Sequence, residues 1–267
     1  MYATTGLSTG QFLRVVELIR QHHPDLDITP RARGWHEALT FERRVYLAIA
    51  YLRLNVTEAA LAEFFNTSQP TASRVIAAFT PAVAAVLAPL VPVGDDLDPN
   101  EQLIIDGTLL PTWSWRDQQD LWSGKHRRTG VNVQVAVDHA GRLVWVGDPL
   151  PGATHDAKAI KGSGVLTRRE GLPEGSASAR AADIGDRGYV GLGMLTPVKK
   201  PPHGELRGDQ KESNSALNSV RAVVERGIAN LKSWRVLHTD YRRPYDTFVD
   251  TISAVVGLQF LRTSEIL

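Results

Sequence analysis

The sequence predicts an α/β fold in two parts: helices alone up to about residue 93, then a mixed sheet flanked by helices. Three observations lead there. Residues 1–93 repeat their apolar side chains at helical spacing. Beyond residue 102 the pattern switches to short apolar runs of strand type, with hairpin punctuation. A long amphipathic helix then follows the strands, near 216–234.

The first part is built from capped helices. "QFLRVVELIR" puts Phe12, Leu13, Val16 and Ile19 on one face. "FERRVYLAIAYLRL" at 41–54 is a second amphipathic helix, with Thr40 placed to cap it. Thr57 opens a short helix that ends near Phe65, and "NTSQ" breaks it. Pro70 suits the first turn of the next helix, and Pro81 is expected to follow its end. Two short helices joined by a tight polar turn match a helix-turn-helix unit over about 55–80.

An acidic, proline-containing linker, 94–102, leads to the second part, 103–267. "EQLIID" is a short strand that ends on Asp106. "GVNVQVAVDHAGRLVWVGDPL" holds two strands, 131–138 and 142–147, around a turn at "HAG". "HDAKAIKGSGVL" is a short helix, and "ARAADIGDRGYVG" a strand with a polar exit. Residues 199–215 are nearly devoid of large apolar side chains and are expected to be a mobile loop before the long helix.

Composition bounds the possible functions. With 267 residues and 43 % apolar content, the chain suits one large domain or two small ones with a true core. The absence of cysteine excludes disulfides and thiolate metal sites and points to a reducing, cytoplasmic setting. The amino terminus lacks the basic-then-apolar pattern of a secretory signal. The longest apolar run, 81–93, is short and broken by prolines, so no membrane span is expected. A net charge of +1 gives no overall nucleic-acid footprint, which leaves local charge to be weighed.

Charge collects in the long helix "NSVRAVVERGIANLKSW". Val220, Val224, Ile228 and Leu231 form its apolar face. Arg221, Glu225 and Lys232 fall within roughly 40° of one another at that face's border, with Asn218 about 20° beyond Glu225. The plain reading is a solvated stripe with an Arg–Glu pair, worth a few tenths of a kcal/mol. Asp106 and Asp186 offer another reading. If their strands are parallel neighbours, their ends meet at one rim, and a helix packed on the sheet can bring Glu225 there. Three like charges repel unless cations compensate them. All-oxygen ligands favour Mg²⁺ or Mn²⁺. Two such ions roughly 4 Å apart activate a water or a 3′-hydroxyl for phosphoryl transfer.

At this point the chain resembles the DDE-superfamily transposases of bacterial insertion sequences, in the branch with a helix-turn-helix ahead of a ribonuclease H-like catalytic domain. The resemblance covers nearly the whole chain and is strongest over 100–255. It rests on "IIDGT", "SGKHRRTGVNVQVAVD", "GATHDAKAI", "GDRGYVG", "VRAVVERGIANLKSWRVL" and "DYRRPYDTF". Arg221, Glu225 and Lys232 fit the family's pattern of Arg, Glu four residues on and Lys seven further. Asn218 stands where many members have tyrosine.

The resemblance implies that Asp106, Asp186 and Glu225 are catalytic and hold two divalent ions, with Asp183 as a rival for the second position. It implies supporting roles for Arg221 and Lys232. It also puts His155 and Asp156 near the active site, where His155 orients water or substrate; the alternative is a mere helix cap. Neither is read as a metal ligand. The implied activity is hydrolysis at element ends followed by strand transfer into target DNA. The partners are double-stranded DNA and a second copy of the chain, with no membrane. A domesticated relative that binds without cutting, and a nuclease without strand joining, are the rival readings.

Candidate DNA contacts follow. Gln69, Thr71, Ser73 and Arg74 face outward on the second helix of the helix-turn-helix, where Arg and Gln suit guanine and adenine edges. Ala72, Val75, Ile76 and Phe79 face inward. The runs with Lys125, Arg127 and Arg128, and with Arg242 and Arg243, suit phosphate contact. Trp113, Trp115 and Trp122 cluster after Asp106, and most tryptophans at such positions are core or interface anchors.

Overall fold

In the computed structural model, residues 1–27, 39–113, 118–169 and 182–264 are described. Trp115 and the start of the strand expected near 180 lie outside them. The elements run as α1 (Tyr2–Thr5), α2 (Thr9–His22), α3 (Phe41–Leu54), α4 (Glu58–Phe64), α5 (Gln69–Leu87), β1 (Ile104–Pro111), β2 (Trp122–Ser123), β3 (Arg128–Val137), β4 (Leu143–Val146), β5 (Leu150–Pro151), α6 (Asp156–Lys161), α7 (Gly208–Lys232) and α8 (Phe248–Thr263).

Packing divides the chain into a helical unit, Met1–Val91 with Leu231–Leu267, and a sheet unit, Pro92–Asn230. Residues 231–267, expected in the second part, pack with the helical unit. The reason is α8, whose apolar residues pack on α5. Gly257 sits so close to α5 that a Cβ there would lie 2.6 Å from the Cβ of Leu87.

Side-chain caps start α2, α3, α4 and α5 of the helical unit. Ser8 and Gln11 form a capping box on α2, while Thr40, Thr57 and Ser68 accept backbone N–H groups at the starts of α3, α4 and α5. Between α4 and α5, Asn66 takes a left-handed φ of 52°, a conformation asparagine tolerates. On α2 the buried set is Phe12, Val15, Val16 and Ile19; Leu13 turns outward, 54 % exposed.

Helix α5 does not stop before Pro81 but runs on to Leu87. An interior proline costs about 3 kcal/mol through a lost hydrogen bond and a ring clash. Burying Val83 and Leu87 returns roughly 1.5–3 kcal/mol each, which outweighs that loss. By length and composition alone the stretch Gln69–Asp96 is apolar enough to cross a membrane, a property that buried core helices share. Here Ala72, Val75, Ile76, Phe79, Ala82, Val83 and Leu87 of that stretch are buried.

In the sheet unit β1 pairs antiparallel with β3 from Ile104–Val137 to Pro111–Gly130. On its far edge β3 pairs antiparallel with β2, β4 and β5. On the free edge of β1, Ile184 forms a parallel bridge to Ile104, and Leu195 a parallel bridge to Ile184. One face of this sheet carries a core of Ile105, Ala136, Trp145, Ile160 and Tyr189. By alternation along β3, Val137 points to the opposite face. There it meets α7, where a Cβ on Gly227 would lie 2.4 Å from Val137 Cγ1.

Two sequence expectations change. Strand β1 does not end on Asp106, because its ladder with β3 continues five residues beyond, to Pro111. Helix α7 begins at Gly208 rather than near Ala216. Its polar first turns are rich in good helix formers. The Gln210 side chain accepts the Arg207 N–H, and buried Asn214 bonds both the N–H and the C=O of Val198. On α7, Val224 is buried and Val220 is 36 % exposed.

The Gly257–Leu87 approach is testable. Gly257→Ala should lower stability by about 1–3 kcal/mol, the usual effect of overpacking. The urea midpoint should fall without a change in slope.

Candidate active site

Register brings the two aspartates together. Ile104 and Ile184 are bridge partners on adjacent parallel segments. Asp106 and Asp186 each stand two residues further on, so they arrive level with each other. Neighbouring strands lie about 4.8 Å apart, within mutual electrostatic range. Asp186 N-caps a short 3-10 turn, and its Oδ1 accepts the Gly188 N–H at 2.7 Å. Asp106 Oδ1 accepts the Gly107 N–H at 2.9 Å. Burial, and after it the Asp186 charge, push the Asp106 carboxyl above its ordinary value, while Arg221 works in the other direction. The Arg221 guanidinium lies 3.8 Å from Asp106 Oδ2.

A third carboxylate, Asp156, stands nearby at the start of α6. A Cβ on Gly188 would lie 2.8 Å from Asp186 Oδ1 and 3.7 Å from Asp156 Oδ2. Asp156 does not cap its helix. Its Oδ1 accepts from Asn132 at 2.8 Å and Gln134 at 3.3 Å, and its Oδ2 accepts from Lys125 at 2.9 Å. Burial alone would raise its pKa, yet the bonds from Asn132 and Lys125 hold it below its ordinary value. Behind it, Gln134 accepts from the Tyr189 hydroxyl and donates to Asn132. Gly107 makes the approach possible, since a Cβ there would lie 2.2 Å from Asp156 Oδ1.

Asp183 has a different task. Arg168 grips both of its oxygens at 2.7 Å, and the Leu103 N–H donates to Oδ1 at 2.9 Å. Both side chains are buried. This pair ties the start of β1 to the segment that carries Asp186.

Glu225 is exposed on α7, one turn beyond Arg221. The α7 side chain that reaches Asp106 is thus the Arg221 guanidinium. Among the described residues no three acidic, histidine or cysteine groups stand close enough to hold an ion. Asp106 and Asp186 nonetheless have the donor chemistry for a hard divalent cation, and the charge repulsion between them is what such an ion relieves. Lys232, in the last turn of α7, belongs by packing to the helical unit. His155 occupies the N-cap position of α6 without a side-chain capping bond and is exposed.

The expected DNA contacts divide into two groups. Gln69 and Arg74 are exposed on α5, and Thr71 and Ser73 are half-buried beside the inward Ala72, Val75, Ile76 and Phe79. Lys125 and Arg127 are exposed on the β2–β3 turn, where Arg127 takes a φ of 51°, and Arg128 is exposed at the start of β3. Arg242 and Arg243, by contrast, are engaged inside the helical unit. Arg242 donates to the Asn55 carbonyl at 2.7 Å, and Arg243 donates to the Glu58 carboxylate and to Ser73. Trp113 and Trp122 are about half exposed.

Asn132, Gln134, Tyr189 and Gly107 escaped the sequence reading. The available signal was "NVQVAV", which alternates valines with two amides on the strand's other face. An amide on a buried strand face needs partners.

Comparison with known proteins follows this geometry. The model of the DDE superfamily endonuclease family matches residues 105–259. The model of the helix-turn-helix of DDE superfamily endonucleases matches residues 37–89. A protein of Streptomyces albus G named as a transposase for insertion sequence element IS112 is 34 % identical over 235 residues, 87 % of this chain and 83 % of its own length. One of Microchaete diplosiphon, named as a transposase for insertion sequence element IS702, is 28 % identical over 149 residues, 54 % of this chain and 50 % of its own. No solved structure is significantly similar to the chain. The chain belongs to the DDE superfamily of endonucleases and carries that superfamily's helix-turn-helix ahead of its endonuclease segment.

Proposed function

We propose that this DNA transposase cuts the phosphodiester at the ends of its insertion sequence and joins the freed 3′-hydroxyl to target DNA, using Asp106, Asp186 and Glu225. The observation that carries the reading is the level placement of Asp106 and Asp186 on adjacent parallel segments. The order of passes, antiparallel through β1, β3 and β4 and then parallel at Ile184 and Leu195, supports a ribonuclease H-like sheet.

Asp106, Asp186 and Glu225 are the residues that would hold two divalent ions, Mg²⁺ or Mn²⁺. When bound, such ions make an oxygen nucleophile available and stabilise the leaving oxygen. Arg221 balances the charge of Asp106, and Glu225 would join the ligand set from the next turn of the same helix. Lys232 serves the same helix as a phosphate contact. In the helical unit, α5 reads the terminal repeats in the major groove through Gln69 and Arg74, with Thr71 and Ser73 on the backbone. Two copies of the chain hold two ends together in the cytoplasm, which makes the working species a homodimer on DNA.

Asp106→Asn should lower cleavage of a duplex carrying the element's end by about 10³-fold, the scale for loss of one catalytic stabiliser. End binding in a gel-shift assay should survive, because it rests on other contacts. Near-normal cutting would refute the role of Asp106. Asp183→Asn should act instead on folding, lowering stability by about 3 kcal/mol as a broken buried ion pair does. Mn²⁺ titration should show weaker binding in Glu225→Gln than in the wild type; equal binding would remove Glu225 from the ligand set. Arg74→Ala should weaken binding of end DNA by about 10-fold, the scale of one base contact. An unchanged footprint would shift recognition away from α5.

A further inference from the structure

Lys125 is more than a solvated cation on a turn. Exposed ion pairs contribute about 0–1 kcal/mol, and a lone Lys–Asp contact would deserve no further comment. Its partner, however, is held by groups that are expensive to bury. Gln134 is 2 % exposed and Asn132 8 %, in a strand whose other buried residues are glycine, valine and alanine, and Tyr189 beside them is 0 % exposed. An apolar pair would pack at Asn132 and Gln134 without needing hydrogen-bond partners. The amides are instead spent on Asp156, which they fix in position and hold ionised.

The output of this network is one ammonium group. Lys125 donates to Asp156 at 2.9 Å while its side chain remains 57 % exposed. An ammonium carries three donors, and this bond uses one. Lys125 is also within electrostatic range of Asp106 and Asp186. The turn that bears it is shaped by the left-handed Arg127 and by the Ser123 hydroxyl, which accepts the His126 N–H.

We propose that Lys125 grips a non-bridging oxygen of the scissile phosphate, and that Asp156 is the positioning residue that holds it there. The inference rests on the reading of Asp106 and Asp186 as the cutting centre. In the cutting step the water oxygen bonds to phosphorus and its proton leaves to solvent. The bond from phosphorus to the 3′-oxygen breaks, and the electron pair stays on that oxygen. Lys125 transfers no proton; its charge stabilises the negative charge that builds on the phosphoryl oxygens.

The test uses the full chain and a duplex containing the element's end. Lys125→Met should lower the single-turnover cleavage rate by about 10²-fold at saturating protein. Lys125→Arg should restore most of the rate, because the guanidinium also binds phosphate. Asp156→Asn should match Lys125→Met, and the double variant should be no slower than Lys125→Met alone, since Asp156 acts through Lys125. A metal-free readout accompanies these rates. A neutral methylphosphonate at the scissile position should weaken wild-type binding by about 5-fold and leave binding by Lys125→Met unchanged. Circular dichroism confirms that each variant is folded. Because Lys125 is exposed, Lys125→Met decides the phosphate contact even if Asp156→Asn fails to fold. Wild-type cleavage by Lys125→Met, or multiplicative losses in the double variant, would overturn the proposal. If Asp106→Asn is inactive while Lys125→Met cuts normally, only this inference falls. If Asp106→Asn itself cuts normally, the reading of the centre falls.

Discussion

The parallel bridge between Ile104 and Ile184 is the constraint on which the candidate centre depends. It sets the register of two segments some eighty residues apart, and through that register it levels Asp106 with Asp186. The bridge has its own anchor. Asp183, one residue before Ile184, bonds the Leu103 N–H, one residue before Ile104, and Arg168 closes both carboxylate oxygens. Shifting the pairing by one residue would send one of the two aspartates to the opposite face of the sheet. A buried ion pair contributes little net stability by itself, but it fixes one arrangement among several.

Charge balance in the sheet unit follows from that geometry. Three carboxylates gather near one rim, and two cations answer them: Arg221 at Asp106 and Lys125 at Asp156. The two differ in freedom. Arg221 contacts Asp106 at 3.8 Å, a loose distance for an ion pair, whereas the Lys125 contact is a 2.9 Å hydrogen bond to a carboxylate fixed by buried amides.

The fold was largely legible where sequence carries a strong local signal. Thr40, Thr57 and Ser68 start helices, and the alternating valines of β3 read directly as a strand. The inward set on α5 followed from spacing alone. What escaped was set by partners distant in the chain. In the sequence alone Pro81 reads as a stop, because the burial of Val83 and Leu87 is tertiary information. The apolar run of β1 ends at its first charge, whereas its ladder with β3 lies in the pairing, not in the run itself. For the site, family likeness singled out Asp106 and Asp186. The choice against Asp183 becomes physical only with Arg168, fifteen residues upstream. Glu225 followed from the same likeness, and in this structure α7 turns it to solvent.

Helix α8 carries a consequence for shortened forms of the protein. The apolar side of α5 is covered by a segment from the far end of the chain, and Asn55 and Glu58 are bonded by Thr239, Arg242 and Arg243. A fragment that stops after α5 therefore lacks this cover and exposes Leu87 to water.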